Sequence, residues 1–285
     1  MGIEHEISVM SQGNKKIDVL VVTPRQLSEE TGFMLILHGW GGNRYQYREM
    51  MLDFSDRFNV ICISPEYRDS GFDASPTGAG IRQPYDFSHL QVIDALTAFQ
   101  SVRERYPQTS WERSFVWGGS QGGHIALLST EFSPHTFALT IDACGIVYPT
   151  DSFWEKAGWK GKGAEFEIRD ARRFVSNIRN KIIIFHGGKD EVVSIEQSYT
   201  LEKTLEDMGK EVEAHYYPEG NHFLAPETTR MEATLRHATK DILNRRIKDK
   251  DDFSRREITI LNCTGCRYIV DFRMGLPELQ KEEEQ

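Results

Sequence analysis

The sequence has little positive charge, few cysteines and no long apolar segment. Its formal net charge is −9, and it contains no basic stripe that would release counterions from nucleic acid, so nucleic acid is excluded as an expected partner. The apolar runs are shorter than the roughly 20 residues that span a bilayer, and the first residues lack the basic and apolar regions of a secretory signal. We therefore expect a cytoplasmic protein that does not bind membranes.

The four cysteines do not form a metal or disulfide framework in the sequence. Cys62 and Cys144 lie in apolar runs typical of buried strands, where a thiol behaves as a small apolar side chain. Cys263 and Cys266 have the spacing of half a zinc site or of a redox pair, but no second pair of Cys or His residues at ligand spacing accompanies them. We interpret all four as structural thiols, and we predict neither a metal site nor a cofactor.

The composition favours one large α/β domain. Of the 285 residues, 39% are hydrophobic and 27% are charged, which suffices for a full core and a charged surface. Apolar or alternating segments predict eight strands, at 3–10, 15–23, 33–37, 58–64, 114–117, 138–145, 181–186 and 212–217. Helical segments lie between most of these strands. This alternation predicts an α/β fold with a doubly wound, mainly parallel, eight-stranded sheet.

Two segments depart from this alternation. Residues 149–178 mix Trp and Phe with Gly and charged residues, and they predict a small insertion that forms a partial lid; the alternative is an ordinary helix and loop with inward aromatic residues. We interpret residues 1–250 as the main domain and residues 251–285 as an extension, which consists of a β-hairpin and a disordered acidic tail. The hairpin is expected to add an edge strand, to mediate a homodimer or to bind a partner.

The strongest local pattern is Gly118-x-Ser120-x-Gly122, which lies between an apolar strand segment and a helix-forming run. A serine on such a tight strand-to-helix turn adopts a strained backbone conformation, and the glycines let neighbouring chain approach closely. The hydroxyl then projects from the sheet beside the free N–H groups at the start of the helix. The pattern predicts a nucleophile elbow with Ser120 as the nucleophile.

A serine hydroxyl attacks a carbonyl only when a base removes its proton and a third group orients that base. Because sites in α/β sheets lie at the carboxyl ends of the strands, polar residues just beyond buried strands are the candidates. His222 follows the last predicted strand and is the predicted base. Asp190 follows the strand before it and is the predicted acid, with Glu191 and Asp142 as the alternatives.

The order Ser120, Asp190, His222, together with the elbow, resembles the α/β-hydrolase family over residues 3–248. Within that family the sequence is most similar to the branch of dienelactone hydrolases, prolyl-oligopeptidase-type catalytic domains and small carboxylesterases. The motifs that carry this likeness are His186-Gly187-x-x-Asp190-x-x-Val193 and Gly220-x-His222.

The resemblance also assigns an oxyanion hole and a pocket. The segment 38–42 is similar to the family's oxyanion loop. This implies that the backbone N–H groups of Trp40 and Gln121 stabilise the tetrahedral oxyanion, each by about 3 kcal/mol. The residues expected to line the substrate pocket are His38, Gly39, Gly41, Trp154 and Trp159. His38 and His186 are also typical of histidines that bind loop backbone.

Taken with these residues, the resemblance implies a serine hydrolase that cleaves a carboxylic ester of a small substrate through an acyl-enzyme intermediate. No cofactor is needed for this chemistry. A peptidase of the prolyl-oligopeptidase type is the alternative. A non-hydrolytic binding protein of the same fold is a further hypothesis, and the complete set of serine, histidine and aspartate argues against it.

Overall fold

The computed structural model describes residues 2–73, 75 and 78–284, and its centre is an eight-stranded sheet with the strand order β1-β2-β4-β3-β5-β6-β7-β8. The strands are β1 (Ile3–Ser11), β2 (Lys15–Thr23), β3 (Gly32–Leu37), β4 (Val60–Glu66), β5 (Ser114–Gly119), β6 (Leu139–Ala143), β7 (Lys181–Gly187) and β8 (Val212–Tyr217). Strands β3 to β8 are parallel to one another, whereas β1 and β2 are antiparallel additions at one edge. The predicted α/β fold with a mainly parallel, eight-stranded sheet is confirmed.

Helices cover both faces of the sheet, which is why its central strands are continuous apolar runs. Along β3, Phe33 and Leu35 belong to one hydrophobic cluster, and Met34 between them belongs to another on the opposite face. Helices α1, α7 and α8 contribute to the second cluster, and α2, α3 and α6 contribute to the first. These helices are α1 (Arg48–Phe58), α2 (His89–Arg103), α3 (Gln121–Phe132), α6 (Ile195–Asp207), α7 (Arg230–His237) and α8 (Thr239–Asn244).

Residues 149–178 pack against the loop that precedes α2. The segment contains α4 (Asp151–Lys156), α5 (Ala164–Glu167) and two short 3₁₀ turns. Trp154 is buried and stacks on Trp159 with the ring centroids 5.5 Å apart, and the indole N–H of Trp159 donates to the backbone oxygen of Tyr85. The aromatic residues Trp154 and Trp159 therefore pack inward, against each other and against the loop before α2.

The chain after residue 250 forms α9 (Asp252–Arg255) and a three-stranded antiparallel sheet of β9 (Ile258–Cys263), β10 (Cys266–Asp271) and β11 (Glu278–Glu283). The predicted hairpin is present as β9 and β10. Cys263 lies opposite Cys266 across it, and both thiols are free and buried. Most of the buried side chains of this sheet belong to the same hydrophobic cluster as those of α2 and α3, so the extension shares its core with the main domain.

The acidic tail differs from the predicted disorder, because residues 278–283 are strand β11 and pair with β10. Leu279 is buried, and its backbone N–H and oxygen both bind the side chain of Gln12. Arg267 donates to Glu282 across the strand pair. These long-range contacts stabilise a segment whose composition alone indicated disorder. No helix in the described part of the chain has the length and apolar character needed to cross a membrane.

Candidate active site

Ser120 occupies the turn between β5 and α3 with φ 58° and ψ −125°, which lies outside the regions that L-residues favour. Gly118 and Gly122 are required at this turn. A Cβ at Gly118 would collide with the backbone oxygen of Gly122, and a Cβ at Gly122 would collide with that of Leu37. The turn therefore has the steric geometry of a nucleophile elbow, and the spacing of the two glycines follows from it.

The three residues at the carboxyl ends of β5, β7 and β8 form a continuous hydrogen-bonded relay. The Ser120 hydroxyl lies 2.9 Å from Nε2 of His222, and Nδ1 of His222 lies 2.7 Å from Oδ2 of Asp190. When Nδ1–H donates to the carboxylate, Nε2 is the acceptor for the serine proton. The structure thus brings together the predicted nucleophile, base and acid in the order that general-base activation of a serine requires.

Asp190 is held by donors on both of its oxygens. Oδ1 accepts the backbone N–H groups of Val192 at 2.8 Å and Val193 at 2.9 Å. Oδ2 lies 3.2 Å from Nε2 of His186, in addition to its contact with His222. The loop 188–193 therefore fixes the carboxylate so that one oxygen faces the imidazole of His222.

The local electrostatics favour an ionised acid and a neutral base. Burial raises the pKa of the Asp190 carboxyl, but the hydrogen bonds from His186 and His222 outweigh burial and bring the pKa below its ordinary value. Burial lowers the pKa of His222, and the hydrogen bond to Asp190 offsets this only in part. At neutral pH the imidazole of His222 is therefore unprotonated and able to accept a proton.

The two alternative acids are placed differently. Glu191 is exposed to solvent. Asp142 is fully buried in β6, and neither of its oxygens has a hydrogen-bond partner of ordinary geometry among the described residues. Burial raises the pKa of Asp142 to about 7, so this carboxyl is partly protonated at neutral pH and is poorly suited to stabilise an imidazolium.

Trp40 and Gln121 flank the serine, one in the loop after β3 and the other as the first residue of α3. Backbone N–H groups at the start of a helix have no intrahelical partner. In the part of the chain that the structure describes, neither of these two N–H groups is bound to an acceptor. The hydroxyl of Tyr85 ties the two segments together, because it donates to Oε1 of Gln121 at 2.9 Å and accepts the N–H of Gly41 at 3.3 Å.

A cleft of about 220 Å³ opens beside the serine. The residues that line it are Gly39, Trp40, Gly42, Gln46, Gly78, Ala79, Ser120, Val192, His222, Phe223 and Arg230. Among the predicted pocket residues, Gly39 lines the cleft. The lining of this cleft does not include the other four predicted pocket residues, which are His38, Gly41, Trp154 and Trp159.

Each of these four residues contributes to the loops behind the cleft. His38 is buried, stacks on Tyr67 with the ring centroids 3.9 Å apart, and has Nδ1 3.0 Å from the backbone oxygen of Gly39. Gly41 has a φ of 63° and binds Tyr85 through its N–H. The two tryptophans belong to the aromatic packing of residues 149–178 described above. Their side chains stack on each other, and Trp159 binds the backbone oxygen of Tyr85.

Among the lining residues that sequence reasoning did not assign to the site are Gln46, Val192, Phe223 and Arg230. The most distinctive is Arg230, the first residue of α7, which is only 6% exposed. Its guanidinium donates from Nη1 to the hydroxyl of Tyr47 at 2.9 Å and from Nη2 to the backbone oxygen of His222. An arginine at the start of a polar helix carries no sequence signal for such burial, because the side chains that enclose it come from distant segments.

Two groups of potential metal ligands occur within the described ranges, each with three ligand atoms within 4.8 Å of one another. The groups are Cys144, Asp190 and His222, and Glu213, His215 and His237. In the first group burial raises the pKa of the thiol to about 11, so it offers no thiolate at neutral pH, and the other two members are engaged in the relay. In the second group the carboxylate of Glu213 already forms an ion pair with the ammonium of Lys181, at 2.5 Å.

Comparison with known proteins agrees with this geometry. The sequence pattern of the prolyl oligopeptidase family matches residues 87–240, which is more than half of the chain and includes the elbow, the acid and the base. The chain is 26% identical to the uncharacterized peptidase YtmA of Bacillus subtilis (strain 168) over 253 residues, which are 85% of this chain and 93% of that protein.

Longer proteins share the same fold. The chain is 23% identical to the uncharacterized peptidase YuxL of Bacillus subtilis (strain 168), covering 79% of this chain but only 36% of that protein. An acylaminoacyl peptidase of Pyrococcus horikoshii superimposes on 87% of this chain with a TM-score of 0.72 at 15% identity, and the match covers 42% of its length. The fold, the relay and the sequence match together show that this chain belongs to the prolyl oligopeptidase family of serine hydrolases.

Proposed function

We propose that this chain is a serine peptidase that cleaves short peptides, with Ser120 as nucleophile, His222 as general base and Asp190 as acid. The observation that carries the proposal is the relay, in which 2.9 Å separates Ser120 from His222 and 2.7 Å separates His222 from Asp190. The family match and the names of both curated relatives support a peptide substrate better than the carboxylic ester predicted from the sequence. The cleft of about 220 Å³ favours a short substrate.

In the acylation step, Oγ of Ser120 attacks the carbonyl carbon of the scissile bond while Nε2 of His222 takes the hydroxyl proton. The ionised Asp190 stabilises the resulting imidazolium through Nδ1–H. The tetrahedral intermediate then collapses, the C–N bond breaks, and His222 returns the proton to the leaving amine. An acyl-enzyme ester on Ser120 and a free amine are the products of this half-reaction.

In the deacylation step, water takes the place of the leaving amine. His222 removes a proton from this water as it attacks the acyl carbon, and the second tetrahedral intermediate releases the acid and regenerates the Ser120 hydroxyl. In both steps the backbone N–H groups of Trp40 and Gln121 bind the oxyanion. Their lack of other acceptors supports this role, because an oxyanion hole requires donors that are already in place.

Labelling with a fluorophosphonate probe tests the proposal, together with turnover of N-blocked dipeptides and of p-nitrophenyl acetate. The wild-type protein is expected to be labelled and to cleave peptides, and Ser120→Ala is expected to lose both properties with unchanged thermal unfolding. Ser129→Ala is the matched control, because Ser129 lies buried in the same helix, α3, outside the cleft. Labelling or peptide turnover that survives in Ser120→Ala would contradict the assignment of the nucleophile. If the wild-type protein hydrolysed esters but not peptides, the substrate would be the carboxylic ester predicted from the sequence.

A further inference from the structure

We propose that Arg230 binds a free carboxylate of the substrate, so that the active-site cleft takes short peptides or esters whose carboxylate lies close to the scissile bond. This inference rests on the proposed function, because it names the substrate class of the same cleft. It is carried by the burial of the Arg230 guanidinium, by its lack of an anionic partner and by its place beside the serine.

The guanidinium of Arg230 is buried and has no counterion among the residues that the structure describes. The residue is 6% exposed, and no carboxylate of the described residues lies within ion-pair distance of it. Burying a charge is costly unless the charge is paired, and two other arginines with little exposed side-chain surface are paired. Arg103 lies 2.6 Å from Asp251, and Arg169 lies 3.2 Å from Glu165. The charge of Arg230 is therefore open to an anion from outside the chain.

Arg113 shows how a buried arginine is held by backbone oxygens. It also has no carboxylate partner among the described residues, but its guanidinium donates to three backbone oxygens, those of Glu30, Phe58 and Asn59. Arg230 donates to one backbone oxygen and one phenolic hydroxyl, and Nε of both arginines is buried without a partner in the described structure. Within the described residues Arg230 therefore binds two oxygen acceptors, whereas Arg113 binds three.

The side chains that interact with the guanidinium do not form an ion pair with it in the described structure. The thiol of Cys144 lies against Arg230, and burial raises the pKa of that thiol to about 11, so it is neutral at neutral pH. The carboxyl of Asp142 is influenced by the charge of Arg230 but forms no ion pair with it in the described structure, and burial raises its pKa to about 7. Tyr47 is a neutral phenol that accepts a hydrogen bond from Arg230.

Arg230 lies where two clefts meet. It lines the cleft of Ser120 and His222, and it also lines a second, largely apolar cleft of about 530 Å³. Gln46 and Phe223 form walls of both clefts. A carboxylate bound to the planar guanidinium would therefore lie beside the nucleophile, and the apolar part of the same substrate would extend into the second cleft.

A structural role for Arg230 makes a different prediction. Its hydrogen bond to the backbone oxygen of His222 positions the base. Loss of that bond alone would lower kcat/KM for every substrate to the same extent. Carboxylate binding predicts that kcat/KM falls selectively for substrates with a free carboxylate, because only these substrates bind the guanidinium. The comparison of charged and neutral substrates of matched shape separates the two roles.

The experiment compares kcat/KM for two matched pairs of substrates. In the first pair, an N-acetyl dipeptide and its C-terminal amide differ by a carboxylate on the leaving side. In the second pair, the mono-p-nitrophenyl ester of succinic acid and its methyl ester differ by a carboxylate on the acyl side. The variants are Arg230→Met, Arg230→Lys, which keeps the charge without the planar fork, and Arg236→Met, a matched control at an exposed position of the same helix.

We expect the wild-type protein to prefer the acid over its neutral partner by about 10-fold or more in one of the pairs, as for hydrogen bonds to charged groups. The pair that shows the preference identifies the side of the scissile bond that bears the carboxylate. Arg230→Met should reduce the preference to about one through a higher KM for the acid, while it still turns over the neutral partner. Arg230→Lys should retain part of the preference, and Arg236→Met should retain all of it.

Equal turnover of acid and neutral substrate by the wild-type protein in both pairs would overturn the inference, and so would a preference that persists in Arg230→Met. This wild-type comparison does not depend on any variant folding, and Arg230→Lys provides the test if Arg230→Met is unstable. A wild-type protein that turns over neutral substrates without preference rejects only the carboxylate site. A folded wild-type protein that neither reacts with a fluorophosphonate nor turns over any substrate rejects the proposed function itself.

Discussion

Replacement of Asp190 by asparagine tests the relay with the smallest change in shape. Oδ1 of Asp190 accepts two backbone N–H groups, from Val192 and Val193, and an amide nitrogen cannot replace an acceptor at that place. The asparagine oxygen should therefore remain with the two backbone donors. Its NH₂ group then faces Nδ1 of His222, where the carboxylate oxygen now lies at 2.7 Å.

This orientation imposes the wrong tautomer on the base. Nδ1 of His222 must accept from the asparagine amide, so the ring proton moves to Nε2, the nitrogen that faces the Ser120 hydroxyl at 2.9 Å. Nε2 can then no longer take the serine proton. In serine triads this substitution lowers kcat by about ten-thousandfold, which corresponds to about 5 kcal/mol in the activation barrier. We expect a loss of that order for Asp190→Asn.

The assay is steady-state hydrolysis of the best peptide or ester substrate, with thermal unfolding as the check on folding. Glu191→Gln serves as the control, because it makes the same chemical change at the adjacent, exposed carboxylate, and it should retain wild-type activity. Asp142→Asn should also retain most of the activity. If Asp190→Asn stayed within tenfold of wild type while Asp142→Asn lost activity, the acid would be Asp142 and the reasoning from the relay would be refuted.

Two further predictions concern the pH profile and the elbow. Because burial lowers the pKa of His222 below its ordinary 6.5, kcat/KM should be at its plateau at neutral pH and should fall as the pH decreases through a midpoint below 6.5; a midpoint above that value would contradict the assigned environment of the base. Gly122→Ala should unfold at a clearly lower temperature than wild type, since its Cβ would collide with the backbone oxygen of Leu37. Gly39→Ala is the control, because its Cβ would meet Cβ of Ser120 at an ordinary 3.5 Å, and equal stability of the two variants would reject the steric argument.

Local sequence patterns predicted the parts of the site that are fixed by local geometry. The spacing of Gly118, Ser120 and Gly122 reflects the close approach of backbone within one strand-to-helix turn. Asp190 and His222 were found because parallel strands bring their carboxyl ends to one edge of a sheet, so that residues after different strands meet. The fold class was equally accessible, because the central strands are continuous apolar runs.

Features that depend on distant contacts were not predictable in the same way. Arg230 is buried by Tyr47 and by the loop of His222, and nothing in the sequence around it indicates this. Trp159 was assigned to the pocket, yet its indole N–H binds the backbone oxygen of Tyr85, which lies 74 residues earlier in the chain. The tail was expected to be disordered from its charge, but Leu279 and the cross-strand pairs of β11 stabilise it. In each case the residue that makes the contact is not specified by local composition or by hydrophobic periodicity.

The C-terminal sheet has a consequence for the residues that were predicted to be a lid. The hydroxyl of Tyr268 donates to Glu165 at 2.7 Å, and the backbone N–H and hydroxyl of Thr264 donate to Glu167 at 2.7 Å and 2.8 Å. Helix α5 is thereby bound to the C-terminal sheet. Any outward movement of α5 must first release these three hydrogen bonds to its carboxylates, so the C-terminal sheet holds this helix in place.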